Sequence, residues 1–110
     1  MKKNQRKKVY DKYQGHCAYC GCKLELKDMQ VDHIIPKSKG GSDDMENLNP
    51  SCWACNYYKS DQTIEWFRRQ LPLLLPRLRR SFIYRLALKY GLVEEKKKEV
   101  VFHFEKGVNE

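Results

Sequence analysis

The chain has 110 residues, and its 22 Lys and Arg outnumber 14 Asp and Glu, a formal net charge of +8. That length suits one domain, or a small domain with an extension, and a core modest enough to welcome a metal staple. The charge favours a polyanionic partner such as nucleic acid over a membrane, because the longest apolar stretch, residues 71–75, is too short to span a bilayer and contains Pro72.

Residues 1–15 are basic and helix-compatible, with Val9, Tyr10 and Tyr13 at helical spacing and Gly15 as a stop. The segment after Met1-Lys2-Lys3 is polar where a secretory signal would be apolar, so a reducing, cytoplasmic setting is expected. The Lys/Arg run reads equally as a solvated face or as a set of phosphate contacts. Residues 17–22, CAYCGC, form a turn. Residues 23–26 and 30–35 then read as two short strands around Lys27-Asp28-Met29, and residues 36–44 are loop by composition.

A helix is expected from about Cys52, carrying Cys55, Asn56 and Lys59. Ser60-Asp61-Gln62-Thr63 is a cap-rich break, and a second helix covers residues 64–71 before Pro72. A third helix is expected from Pro76 to Gly91. Its Leu78, Phe82, Leu86 and Tyr90, with Ile83 and Ala87 beside them, make a core-facing stripe, and Arg77, Arg80 and Tyr84 lie opposite. Val100, Phe102 and Phe104 alternate as a short edge strand that pairs within the chain or across a dimer. Trp53 and Trp66 are expected in the core, with one aromatic able to stack on a base. The chain thus divides into a basic helix (1–16), a core (17–71) and an extension of helix and strand (72–110).

Five cysteines in a reducing compartment bind metal more often than they form disulfides. Cys17-Ala-Tyr-Cys20 and Cys52-Trp-Ala-Cys55 are two CxxC pairs. Each pair brings two thiolates to one ion from one tight turn, and two pairs complete the closed tetrahedral shell of structural Zn²⁺. Cys22 is left over. Its use in place of Cys20 would give a looser CxxxxC grip. His16 is redundant beside this set.

Val31-Asp32-His33-Ile34-Ile35-Pro36 has strand composition with two ionisable side chains at its middle. A buried carboxylate requires a partner or a metal. Asp32 is a hard oxygen ligand, Asn56 offers a carbonyl oxygen, and His33 has the proton affinity of a general base near neutral pH. A metal held by Asp32 and Asn56 with open positions would polarise a phosphate while His33 activates water. In an ideal strand, neighbouring side chains face opposite ways, so a local distortion is expected near Asp32-His33.

Here the chain resembles a family. Val31 to Pro36, then Gly40-Gly41, Glu46-Asn47-Leu48 and Cys52-x-x-Cys55-Asn56-x-x-Lys59 are similar to the HNH nucleases, and more narrowly to the cysteine-flanked group with a structural zinc. The resemblance covers about residues 10–70. It implies an α+β, ββα-metal fold, with a two-stranded hairpin packed on a helix and a catalytic divalent cation between them. By position it implies His33 as general base and Asp32 and Asn56 as metal ligands. Asn47 would be the middle residue that holds the loop and orients the base, and Lys59 a phosphate contact. An additional metal-binding His of other members falls at Ser60 here. Fewer protein ligands therefore suit a hard ion that keeps waters, Mg²⁺ or Mn²⁺.

The expected function is hydrolysis of DNA, double-stranded by preference, to 5′-phosphate and 3′-hydroxyl ends, by a monomer or homodimer of prokaryotic or phage origin. Lys37 and Lys39 in the loop after Pro36, together with Lys59, are the expected nucleic-acid contacts. The alternatives are a zinc-stapled nucleic-acid-binding module that does not cut, and a nuclease subunit of a larger complex.

Overall fold

The computed structural model describes residues 1–106. Its first helix, α1, spans Lys3–Asp11 and buries Val9. One of its cations turns inward. Arg6 Nη2 donates to the carbonyls of Leu26 (2.7 Å) and Met29 (3.0 Å). Just after the helix, Lys12 Nζ donates to Leu48 O (2.6 Å) and Met45 O (3.2 Å). Part of the basic run therefore closes open carbonyls of neighbouring segments, a use distinct from both a solvated face and a phosphate contact.

The sheet has two antiparallel strands, β1 (Gln30–His33) and β2 (Leu48–Ser51), with Asp32 opposite Asn49 and His33 opposite Leu48. The hairpin expected between residues 23–26 and 30–35 does not form. Leu26–Asp28 makes a 3₁₀ turn, and Lys23 keeps only an isolated bridge to His16. The winning partner, Leu48-Asn49-Pro50-Ser51, is buried throughout. Its proline argues against a strand only in a sheet centre. A two-stranded sheet is all edge, where the missing N–H leaves no ladder gap, and Pro50 O accepts from Ala18 N at 2.9 Å.

Two 3₁₀ turns, Lys37–Lys39 and Met45–Asn47, lie in the connection between the strands. The chain must cross back over itself after the first of them. Gly41 makes this possible, because a Cβ there would lie 1.7 Å from the Ile35 carbonyl oxygen. Helix α2 (Trp53–Lys59) follows β2 and is capped by Cys52, whose Sγ accepts from Cys55 N at 3.4 Å.

The expected strand at residues 100–104 is instead an extended strap ending in a 3₁₀ turn, His103–Glu105. It does pair within the chain, as His103 N donates to Tyr19 O (2.9 Å) and Phe104 N to Ala18 O (2.8 Å). The Phe102 ring is buried and meets the Tyr19 ring edge-on at 5.4 Å, with Phe104 at 6.1 Å. The chain forms two compact units. One unit comprises Met1–Ile64 with the chain from Val101 on, and the other is Glu65–Val100.

The second unit carries most of α3 (Ile64–Gln70), α4 (Leu74–Leu78) and α5 (Phe82–Lys89). The single third helix expected from Pro76 to Gly91 is broken. Ser81 caps α5 by accepting from Tyr84 N at 3.2 Å, so Leu78 and Phe82 fall in different helices. The core-facing stripe is also corrected, since Phe82 is 65% exposed, Ile83 71% and Tyr90 73%. Periodicity marks an apolar face and says nothing about whether the chain supplies a cover for it. No helix among the described residues is long and apolar enough to cross a membrane.

Two substitutions test these placements. Phe102→Ala should lower stability to chemical denaturation by about 3–5 kcal/mol, the usual cost of emptying a buried Phe site. Phe82→Ala, at a stripe position that a core would punish equally, should change it by no more than about 0.5 kcal/mol. Gly41→Ala should lower the melting temperature and open the loop between β1 and β2 to limited proteolysis.

Candidate active site and metal centre

The Sγ atoms of Cys17, Cys20, Cys52 and Cys55 lie within 4.8 Å of one another, and Cys20 and Cys52 are 3.8 Å apart. A tetrahedron of Zn–S bonds of about 2.3 Å needs its sulfurs about 3.8 Å apart. The knuckle is built by Gly21, at φ 82, and by Cys17 N donating to Cys22 O at 2.8 Å. The capping role of Cys52 brings the second pair to the same point. Cys22 is exposed and lies outside the cluster of four.

The protonation chemistry points the same way. A hydrogen bond from Cys55 lowers Cys17 to about 4. That same bond raises Cys55, while burial raises Cys20. Crowded thiolates repel one another. A divalent ion removes the repulsion and accommodates all four, which is the donor set of structural zinc.

Beside this cluster, Asp32 is 3% exposed and fully engaged. Its Oδ1 lies 3.1 Å from Lys59 Nζ, and its Oδ2 accepts from the Tyr19 hydroxyl. Burial pushes the Asp32 carboxyl up, against the opposing pull of the Tyr19 hydrogen bond and the Lys59 charge. Lys59 Nζ also donates to His33 O at 3.0 Å, and the residue is 0% exposed. The expected phosphate contact of Lys59 is therefore corrected. Its aliphatic stem is packed away and its ammonium ties the last turn of α2 to β1.

His33 Nε2 lies 2.8 Å from Asp43 Oδ1, and Asp43 Oδ2 lies 3.0 Å from Lys37 Nζ. The His33 hydrogen bond, with that from Lys37, holds the Asp43 carboxyl below its usual range. An ionised carboxylate only accepts, so in the neutral imidazole Nε2 carries the proton and Nδ1 the lone pair. Asn47 is a clamp. Its Oδ1 accepts from Ile35 N (2.8 Å), and its Nδ2 donates to Ile35 O (3.1 Å) and Ser42 O (2.7 Å). Those bonds hold the two ends of the loop that presents Asp43 to His33.

A cleft of about 340 Å³ is lined by Asp32, His33, Lys37, Asn56, Ser60 and Asp61, among others. Asp32 and His33 share it although they are neighbours in a regular ladder, because β1 ends at His33 and the bend falls at Ile34-Ile35, just beyond the expected distortion. Asn47 does not line the cleft, and neither does the exposed Lys39.

Three participants escape a reading of the sequence. Tyr19 looks like filler between cysteines, Asp43 like a solvated loop residue and Asp61 like a helix cap. The cleft's oxygen donors, Asp32, Asn56 and Asp61, suit a hard divalent ion. Each bonded Asp32 oxygen retains a second lone pair. Trp53 is not in the core either, being 64% exposed.

Elemental analysis should find one zinc per chain. Cys22→Ser should keep it, and Cys20→Ser should lose both zinc and fold, since structural zinc contributes on the order of 10 kcal/mol of folding free energy.

Residues 17–62 match the family model described as HNH endonuclease. Over 46 residues the chain is 37% identical to the CRISPR-associated endonuclease Cas9 of Corynebacterium diphtheriae, covering 41% of this chain and 4% of that protein. The fold is similar to the crystal structure of the Type II-C Cas9 enzyme from Actinomyces naeslundii, with a TM-score of 0.55 and 27% identity over 60% of this chain and 8% of that one. The chain thus spans a small fraction of the length of either relative. The two strands, the helix and the cysteine tetrad already described fall within or beside this matched stretch, and the fold is α+β, of the ββα kind.

Proposed function

We propose that the chain is a metal-dependent DNA endonuclease that hydrolyses phosphodiester bonds to 5′-phosphate and 3′-hydroxyl ends, with His33 as general base. The observation that carries this reading is the His33–Asp43 pair at 2.8 Å on the rim of a cleft that also offers Asp32 and Asn56. Asp43 keeps the proton on Nε2, so Nδ1 is free to take one from a water in the cleft. Asn47 holds that arrangement through the backbone and is a positioning residue. Lys59 fixes the carboxylate of Asp32 toward the helix, and Lys37 and Lys39 bring positive charge to the approaching phosphates of a DNA duplex. Asp32 and Asn56 would hold a Mg²⁺ or Mn²⁺ ion, which would supply charge stabilisation at the phosphate. The reducing cytoplasm suits the free thiols of the tetrad.

A second reading, a zinc-stapled module that binds nucleic acid without cutting, draws on the full engagement of Asp32 by Tyr19 and Lys59. A plasmid nicking assay with Mg²⁺ or Mn²⁺ separates the two. Under the nuclease reading the chain nicks, and His33→Ala loses about 100-fold or more in rate while keeping zinc and DNA binding. Equal rates for His33→Ala would remove His33 from the chemistry, and no nicking by the unsubstituted chain would leave the binding module. Asp43→Asn should lower kcat about 10-fold with KM unchanged, as loss of an orienting partner does.

A further inference from the structure

We propose that Trp53 and Tyr57 form a stacking platform for a nucleobase of the strand whose phosphate enters the cleft. The proposal rests on the nucleic-acid reading above and names the part of the substrate that reading leaves out.

Helix α2 uses its circumference economically. Cys55 points to the zinc tetrad and Lys59 to Asp32. Residues 53, 56 and 57 stand at i, i+3 and i+4 of α2, so they share one face, and Ser60 follows directly after the helix. Asn56 on that face and Ser60 both line the cleft. The aromatic pair is therefore continuous with the cleft wall.

The pair is preorganised. The two rings are stacked, with centroids 4.9 Å apart and planes within 12°, yet Trp53 is 64% exposed and Tyr57 70%. A parallel stack of two rings leaves one outer face on each, and both residues are largely exposed. A third flat ring extends such a stack without any side chain having to move.

Charge selects the ligand. The formal net charge of +8 and the absence of any acid from α2 favour a polyanion over an acidic-rimmed protein surface. Lys37 stands on the cleft wall with its side chain 61% exposed. Nucleobases are the flat aromatic groups that a polyanion carries beside each phosphate. Stacking on a protein aromatic is tolerant of base identity and is worth about five- to hundredfold in affinity per base. Within a paired and stacked duplex both faces of a base are already covered. The platform therefore calls for an accessible base, in a single strand or at a locally opened step.

The test uses the whole zinc-loaded chain carrying His33→Ala, so that nothing is cut. It is titrated with a short single-stranded oligonucleotide and with one of equal length whose central nucleotides are abasic. The base-bearing strand should bind at least fivefold more tightly and quench tryptophan fluorescence. Adding Trp53→Ala should abolish both differences while leaving zinc content and affinity for the abasic strand unchanged, and Trp53→Phe should restore part of the preference. Equal binding of the two strands, or a loss in Trp53→Ala that is the same on both, would overturn the platform and leave the pair as a protein-facing patch, with the nucleic-acid reading intact. Failure of the His33→Ala chain to bind either strand would overturn the platform, and failure to bind a duplex of the same sequence as well would remove the nucleic-acid reading with it.

Discussion

The buried contact of Asp32 with Lys59 and Tyr19 is the constraint on which the nuclease domain turns. It joins a strand, a helix and the cysteine knuckle through one carboxylate. An ion pair removed from water gains little net stability, because desolvation of both charges offsets most of their attraction. What makes this one tenable is the rest of its hydrogen bonding. Lys59 has a second acceptor in His33 O, and Tyr19 delivers its only proton to the other carboxylate oxygen. With its proton committed, the Tyr19 hydroxyl is left to accept, which it does from Asn49 Nδ2 at 3.3 Å. Asn49 is the cross-strand partner of Asp32. Once both charges are in place, removing either strands the other, at about 3–5 kcal/mol. The network thus specifies one packing of β1 against α2.

Tyr19 is itself held from outside. It lies between two zinc-tetrad cysteines and beneath Phe102 and Phe104 of the returning strap. A segment more than eighty residues away in the chain therefore helps to fix the residue that fixes Asp32. The strap uses backbone as well as rings, since His103 N and Phe104 N take the carbonyls of Tyr19 and Ala18. Rotation of the Tyr19 ring away from Asp32 would break contacts on both sides at once.

Much of this was legible in the sequence, and the failures share a cause. The cysteine tetrad and the helix after Cys52 follow from motifs whose chemistry is local, and the clamp role of Asn47 is one that the family resemblance implied. Strand pairing is not local. Residues 23–26 are near β1 in sequence, but Leu48-Asn49-Pro50-Ser51 is the segment that can be buried on all sides, and its proline hides it from any propensity count. Charges are ambiguous in the same way. Lys59 and Asp43 differ little from other polar residues along the chain, and only the fold decides that one is wholly buried and the other faces an imidazole. Apolar residues fail in the opposite direction. Trp53 and Phe82 have the composition of core, and the structure leaves both in solvent.

Helix α2 shows how a cysteine tetrad able to hold a metal governs the cleft beside it. Seven residues are too few for a helix to persist by propensity, and its sequence, with two tyrosines, a tryptophan and an asparagine, does not favour one. It exists because Cys52 caps its first turn and Cys55 is drawn to the tetrad, while Lys59 is bonded at its last. Asn56 lies between those anchors. Its position in the cleft is thus set from both ends by groups that never meet a substrate. Loss of zinc would release the cap, and with it Asn56 and the Lys59 hold on Asp32, in one step. Folding of α2 and the geometry of the cleft are therefore coupled, because the cysteine tetrad on one side of a short helix sets the position of Asn56 on the other.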